Sequence, residues 1–294
     1  MIDINIGIDI GGNHTGIGIV DKNGNIIKKE ILDYDNDSVD AEKIFEFINI
    51  FIEANKKQDI KNIGVGIPGI ATKTHIDYTC NLPLGNVEIR DYLKTSLPIY
   101  ISNDANCATI AEYQIADSKF YSNYALVTIG TGIGLGLILN NHLYIGTSGA
   151  AGEIGHMVIE KDGLECKCGR RGCFEQYASV TALKRMTNLD NLKEIFYLLE
   201  RNEIMQNVFE EYLENLAEGL ANVVNMYDLE MLVIGGSLSN YGFKYLSKLK
   251  NKILSKIYNK YTYELNIKTA VLENDAGIIG ASLLNEYLHS GDVP

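Results

Sequence analysis

Four residues between positions 156 and 173 have the types and spacing of a metal site: His156, Cys166, Cys168 and Cys173. Three thiols within eight residues, joined by one imidazole, form the donor set of a closed tetrahedral zinc site. Four protein ligands leave no open coordination position, so such a zinc is structural and not a Lewis acid. Gly169 and Gly172 free the backbone to wrap around an ion. A disulfide framework fits poorly with five cysteines in 294 residues and no expected export signal. Glu153 and Glu175 flank the cluster. Carboxylates accept paired hydrogen bonds from vicinal hydroxyls, and a metal-pinned loop would mount them rigidly. Taken singly, each also reads as a solvated surface charge.

Three glycine turns supply a second kind of chemistry. Asp9-Ile10-Gly11-Gly12, Gly130-Thr131-Gly132 and Gly235-Gly236-Ser237 each sit where a strand is expected to end. Glycine lets a backbone approach an anion closely, and Asp9 could hold Mg2+ directly or through water. A turn that merely needs glycine explains any one of them equally well; three together carry more weight. The third could form a platform for adenine and ribose. None contains the lysine of a Walker-type phosphate loop. Asp104, within Asn103-Asp104-Ala105-Asn106, has two readings: a helix N-cap, or a carboxylate placed to accept a hydroxyl proton in phosphoryl transfer. Cys80 and Cys107 read as small apolar core residues.

The elements that must position these groups follow from periodicity. Ile4, Ile6, Ile8 and Ile10 alternate as a strand; 15–20 and 26–31 read as further strands around an Asp21–Asn25 turn. Ile44, Phe45, Ile48, Phe51 and Ile52 have helical spacing, with Ser38 as N-cap. Strands are expected at 63–67, 99–102, 124–129, 134–139, 231–234 and 266–271. Helices are expected at 105–116, 176–187, 191–200, 203–226, 243–259 and 276–289. Alternating strands and helices place the chain in the α/β class. The glycine-spaced stretches after Asp9 and after Ile129 also echo one another.

The bulk numbers exclude whole classes of function. A net charge of −12 disfavours a nucleic-acid partner, and no apolar window approaches the ~18 residues of a membrane span. A 46% apolar fraction and 22% charged fraction suit a globular enzyme, expected in the cytoplasm.

The motifs DIGG (9–12), GIPG (66–69), NDAN (103–106), GTGIGLG (130–136), GEIGH (152–156), CKCGRRGCFE (166–175) and IGGS (234–237) occur in an order that resembles the ROK family of sugar kinases. The resemblance implies an actin-like (ribonuclease H-like), two-lobed fold with a structural zinc loop and a cleft between the lobes. A smaller lobe would span 1–118, joined by a C-terminal helix at 276–294; a larger lobe would span 119–275. It implies ATP- and Mg2+-dependent phosphorylation of a hexose 6-hydroxyl by a homodimer. Glucose is the first expectation and N-acetylmannosamine the second. By the same match Asp104 is the base, with Gly69, Asn81, Asn103, Glu153, His156 and Glu175 around the sugar. Asp9, Gly11, Gly12, Gly130, Thr131, Gly132, Gly235 and Gly236 would lie near the nucleotide. His156 would serve twice, one ring nitrogen on zinc and the other on a sugar hydroxyl. The match departs at Asn13-His14-Thr15, where the family usually continues with Thr and Lys or a second Thr. The γ-phosphate contact is therefore expected on Asn13 or Thr15. The family also contains sugar-sensing repressors, which carry a DNA-binding segment before the first strand; none is expected here.

Overall fold

The alternating isoleucines Ile4, Ile6, Ile8 and Ile10 form the first strand, and all four are buried. The structure, a computed structural model, describes residues 3–35, 40–72, 74–79, 82–116, 118–242, 245–259 and 264–288. Two compact units emerge. One comprises Met1–Phe120, Gly136–Ala151 and Val271–Pro294; the other comprises Tyr121–Leu135 and Gly152–Ala270.

In chain order the first unit opens with β1 (Ile4–Ile10), β2 (His14–Asp21), β3 (Ile26–Asp33), α1 (Ala41–Asn55) and β4 (Ile60–Ile67). It continues with β5 (Gly69–Thr72), β6 (His75–Thr79), β7 (Val87–Glu88), β8 (Ile99–Asn103) and α2 (Asp104–Ile115). Its main sheet has the order β3-β2-β1-β4-β8. β1 runs antiparallel to β2 and parallel to β4, which is parallel to β8. The helical stripe Ile44, Phe45, Ile48, Phe51 and Ile52 of α1 shares one core cluster with the β1 isoleucines. Asp40 caps α1 by accepting the Lys43 N–H at 2.7 Å. Ser38, the expected cap, lies outside the described residues, as do Cys80 and Asn81.

The next elements are β9 (Tyr124–Ile129), β10 (Ile133–Leu139), β11 (His142–Leu143), α3 (Glu175–Ala178), α4 (Val180–Thr187), α5 (Leu192–Leu199) and α6 (Glu203–Tyr227). Then come β12 (Met231–Gly235), α7 (Ser239–Gly242), α8 (Leu246–Lys256) and β13 (Asn266–Thr269). The second five-stranded sheet has the order β11-β10-β9-β12-β13. Numbered within its own stretch, each main sheet runs 3-2-1-4-5, so the glycine-spaced echo in sequence is an echo in topology.

The chain then returns to the first unit as α9 (Ala276–Ser282) and α10 (Leu284–Tyr287). β1 shows why it can. Its even residues face α1, while its odd residues face α9: the Asn5 amide donates to Ser282 O at 2.9 Å, and a Cβ on Gly7 would collide with the Ile278 carbonyl. Gly64 likewise admits the Ala281 carbonyl, and Gly280 admits the Cys107 carbonyl of α2. These are close backbone approaches that only glycine permits.

The structure departs from periodicity in four places, one of them Leu283, where the helix expected over 276–289 divides into α9 and α10. The helix expected over 176–187 breaks at Ser179, which turns extended and caps α4 by accepting the Ala182 N–H at 3.0 Å. The strand expected over 266–271 ends at Thr269. A three-stranded sheet, β5-β6-β7, was not foreseen, because its strands are two to five residues long and lack clean alternation. The helix expected over 243–259 is α8, and residues 243–244 lie outside the described residues.

Candidate active site and metal centre

β1, β4 and β8 are parallel, so their C-terminal ends share one edge of the first unit's sheet, where α/β proteins bind ligands. That edge gathers Asp9, the 11–13 turn, Gly69, Asn103 and Asp104. Asp9 pairs in register with Gly66, and Ile67 pairs with Asn103. Burial pushes the Asp9 carboxyl up to about 6, which a divalent cation would reverse. The Cys107 thiol, fully buried, sits close enough to feel the charges of both Asp9 and Asp104.

Asp104 is the first residue of α2, and the N-cap is Asn103. The Asn103 Oδ1 accepts the Ala105 N–H at 2.8 Å, while its amide donates to Gly69 O at 3.2 Å. The sequence had left open whether Asp104 merely caps; Asn103 is the N-cap, and the same Ala105 N–H also lies 2.8 Å from Asp104 Oδ1. Gly69 begins β5, where a Cβ would collide with the Tyr78 carbonyl.

The 11–13 turn is not uniformly open to an anion. The Gly11 N–H donates to His14 O at 2.8 Å, leaving the Gly12 and Asn13 N–H groups undonated among the described residues. Asn13 is exposed, with its Oδ1 2.9 Å from His14 Nδ1. Thr15 is fully buried with its hydroxyl on Tyr34 at 2.9 Å, so of the two expected phosphate contacts Asn13 is the accessible one.

In the second unit, the ligand atoms of His156, Cys166, Cys168 and Cys173 all lie within 4.8 Å of one another. Cys166 Sγ is 3.6 Å from His156 Nδ1, and Cys168 Sγ is 3.6 Å from Cys173 Sγ. A tetrahedral zinc with ordinary Zn–S and Zn–N bonds needs edges of roughly 3.5–3.8 Å, so the donor set fits. Gly169 and Gly172, with φ of 86° and 77°, turn the loop around this point. Phe174, 1% exposed, anchors the loop in a hollow of α6 left by Gly219. Burial pushes the Cys166 thiol up to about 12, a cost that a bound cation removes by holding the thiolate.

His156 turns Nδ1 toward the cluster and Nε2 toward Glu153, 4.0 Å away. Burial raises the Glu153 carboxyl, His156 pulls it down and Glu175 pushes it further up. Glu175 opens α3; its Oε1 is 3.1 Å from Cys166 Sγ and 3.6 Å from His156 Nδ1. A Cβ on Gly132 would stand 2.9 Å from Glu175 Oε2, so the carboxylate lies over the 130–132 turn. The zinc loop, the two glutamates and the glycine turn thus lie together in the second unit.

Within that turn the Gly130 N–H donates to Gly132 O at 3.0 Å. The Gly130 carbonyl accepts the Val180 N–H at 2.8 Å, and the Thr131 carbonyl accepts the Thr181 hydroxyl at 2.7 Å. Gly235 and Gly236 lie alongside at the end of β12. Gly236 has φ of 77°, and a Cβ there would press on the Ile129 backbone. Sequence reasoning missed Tyr34 and Thr181, which carry no motif of their own.

The ROK family model matches residues 5–287. The chain is 29% identical to the xylose repressor of Bacillus subtilis over 289 residues, covering 94% of this chain and 75% of the repressor. It is 26% identical to the glucokinase of Thermotoga maritima over 309 residues, covering 96% and 98%. Among solved structures, a ROK family glucokinase from Streptomyces griseus, in complex with glucose and AMPPNP, superposes with a TM-score of 0.82. That pair is 27% identical, covering 96% of this chain and 98% of the other. The fold is therefore the mixed α/β fold of ROK sugar kinases. No helix among the described residues is long and apolar enough to cross a membrane.

Proposed function

The chain belongs to the ROK family, and on that premise we propose that it is an ATP-dependent kinase acting on the 6-hydroxyl of a hexose, first of all glucose. The carrying observation is Asp104 itself, a carboxylate at the first turn of α2 on the sheet edge that also presents Asp9 and the Gly12 N–H. In this reading Asp104 accepts the sugar hydroxyl proton as that oxygen attacks the terminal phosphorus of ATP, and ADP leaves. Asn103 and Gly69 hold the sugar beside Asp104, while Glu153, Glu175 and His156 Nε2 take further hydroxyls. Asp9 would hold Mg2+, which neutralises charge on the transferring phosphoryl group. The 12–13 and 131–132 amides and the Gly235-Gly236 turn would bind the nucleotide. Zinc supplies no chemistry here; it would fix the orientation of His156 and Glu175.

The likeness to glucokinases at 26% and 27% identity supports glucose. The test is sugar-dependent ADP release from Mg-ATP on glucose, N-acetylmannosamine, N-acetylglucosamine, mannose, fructose and allose. Turnover of glucose ahead of the others supports the reading. Because a xylose repressor is also a relative, tight xylose binding with no ADP release on any sugar would replace the kinase by a sensor.

A further inference from the structure

Both glycine turns share a feature that neither the motifs nor the proposed catalysis requires. In each, a carbonyl is tied by a side chain distant in sequence, and the N–H of the same peptide plane is undonated among the described residues. In the first unit the Tyr34 hydroxyl donates to Gly11 O at 2.7 Å. A phenol has one proton, so the Thr15 hydroxyl, 2.9 Å away, is the donor to the Tyr34 oxygen. The Tyr34 backbone N–H donates to Asn13 O at 3.0 Å. One residue therefore holds two carbonyls of a three-residue turn. In the second unit the Thr181 hydroxyl donates to Thr131 O at 2.7 Å, and the Val180 N–H to Gly130 O.

Peptide planarity gives this a consequence. The Gly11 carbonyl and the Gly12 N–H belong to one rigid plane and point in opposite directions, as do the Thr131 carbonyl and the Gly132 N–H. Fixing the oxygen aims the hydrogen. A glycine peptide left free would also sample the flipped state, which turns a carbonyl dipole toward an anion. The Gly11 and Gly130 N–H groups are already taken within their turns, so Gly12 and Gly132 are the donors whose direction matters.

We infer that Tyr34 and Thr181 are positioning residues, each holding one glycine turn in the single peptide orientation that offers an N–H to a phosphoryl oxygen of the nucleotide. This rests on the kinase reading for its ligand and on the geometry alone for the clamp. Tyr34 packs part-buried against the α1 core cluster, so Tyr34→Phe keeps the ring and removes only the hydroxyl. Thr181→Val removes the hydroxyl at nearly constant shape.

Two measurements separate the clamp from its function. Amide hydrogen exchange over residues 9–15 and 128–134 reads the turns directly, with and without Mg-AMPPNP. Steady-state kinetics read the KM for ATP against the KM for sugar. Tyr34→Phe is expected to speed exchange in the first turn and raise the KM for ATP about tenfold, the cost of one hydrogen bond to a charged group, at unchanged KM for sugar. Thr181→Val is expected to do the same at the second turn. Tyr92→Phe, whose ring stacks on Phe45, is the control and should alter neither. Exchange as in the unmodified protein would overturn the clamp. Faster exchange with an unchanged KM for ATP would overturn its role in nucleotide binding. Should no sugar turn over, the kinase reading falls while exchange still decides. AMPPNP protection of Gly12 and Gly132 that the variants lose supports the inference, and its absence in the unmodified protein ends it.

Discussion

Asn103 uses both ends of its amide: the nitrogen donates to the Gly69 carbonyl at 3.2 Å, and the oxygen caps α2 by accepting the Ala105 N–H. It thereby ties the end of β8 to the start of β5 and fixes the helix turn that carries Asp104. Asp104→Asn keeps size and polarity but cannot take a proton. At least a ~100-fold loss of kcat is expected, with a KM for sugar within a factor of a few of the original, measured by ADP release. A variant within twofold of the original kcat would remove Asp104 from the role of base.

Asn103→Ala loses the cap and the bond to Gly69 together. A fall of about 1 kcal/mol in unfolding free energy is expected for the cap alone, read by urea titration. The KM for sugar should rise as well, because Gly69 loses the bond that places it.

Asp9 predicts a pH-dependent stability with a defined sign. Burial raises its folded pKa from 3.8 to about 6, so the unfolded chain releases the proton first as pH rises. Below pH 3.8 both states are protonated and Asp9 costs nothing. Between 3.8 and 6 the native state progressively loses stability, up to about 3 kcal/mol, and above 6 the loss is complete. Asp9→Asn should therefore raise the melting temperature of the nucleotide- and Mg2+-free protein at pH 8 and leave it unchanged near pH 3.5. An equal shift at both pH values would mean that charge is not the cause.

The three-cysteine, one-histidine cluster should hold about one zinc per chain by elemental analysis. Cys168→Ser should abolish that stoichiometry and lower the melting midpoint by about 5 °C or more, as should chelation of the unmodified protein. A chain that purifies metal-free, with a midpoint insensitive to zinc, would contradict the assignment.

Gly280→Ala tests the seat of α9. The added Cβ meets the Cys107 carbonyl, a backbone atom that cannot swing aside. Overpacking of this kind costs about 1–3 kcal/mol, measurable by denaturant titration.

Much of this architecture was legible because it rests on local pattern. The β1 isoleucines, the α1 stripe and the glycine turns declare themselves within ten residues, and so does the Cys-x-Cys loop. What stayed hidden depends on pairing at a distance. Tyr34 reaches Gly11 only because β2 and β3 pair in a register that sets His14 opposite Asp33, and no motif announces a tyrosine at the end of such a hairpin. Ser179 breaks a helix that its flanking periodicity would continue, and the Val180 N–H beside it bonds instead to the Gly130 carbonyl across 50 positions. Asn81 lies outside the described residues, and its place beside the sugar rests on the family resemblance.

The seating of α9 on β1 also bears on how the protein is made. β1 is synthesised long before Ile278 and Ser282, and Asn5 bonds to Ser282 across 277 positions. Until those residues are made, that face of β1 and β4 lacks α9 and has only α2 against its β4 side, although the intervening unit has already been synthesised. The first unit therefore cannot finish folding before residues 276–282 are made. Until α9 arrives, the face carrying Asn5, Gly7, Asp9 and Gly64 lacks its partner, and closing a contact of such long sequence separation slows folding.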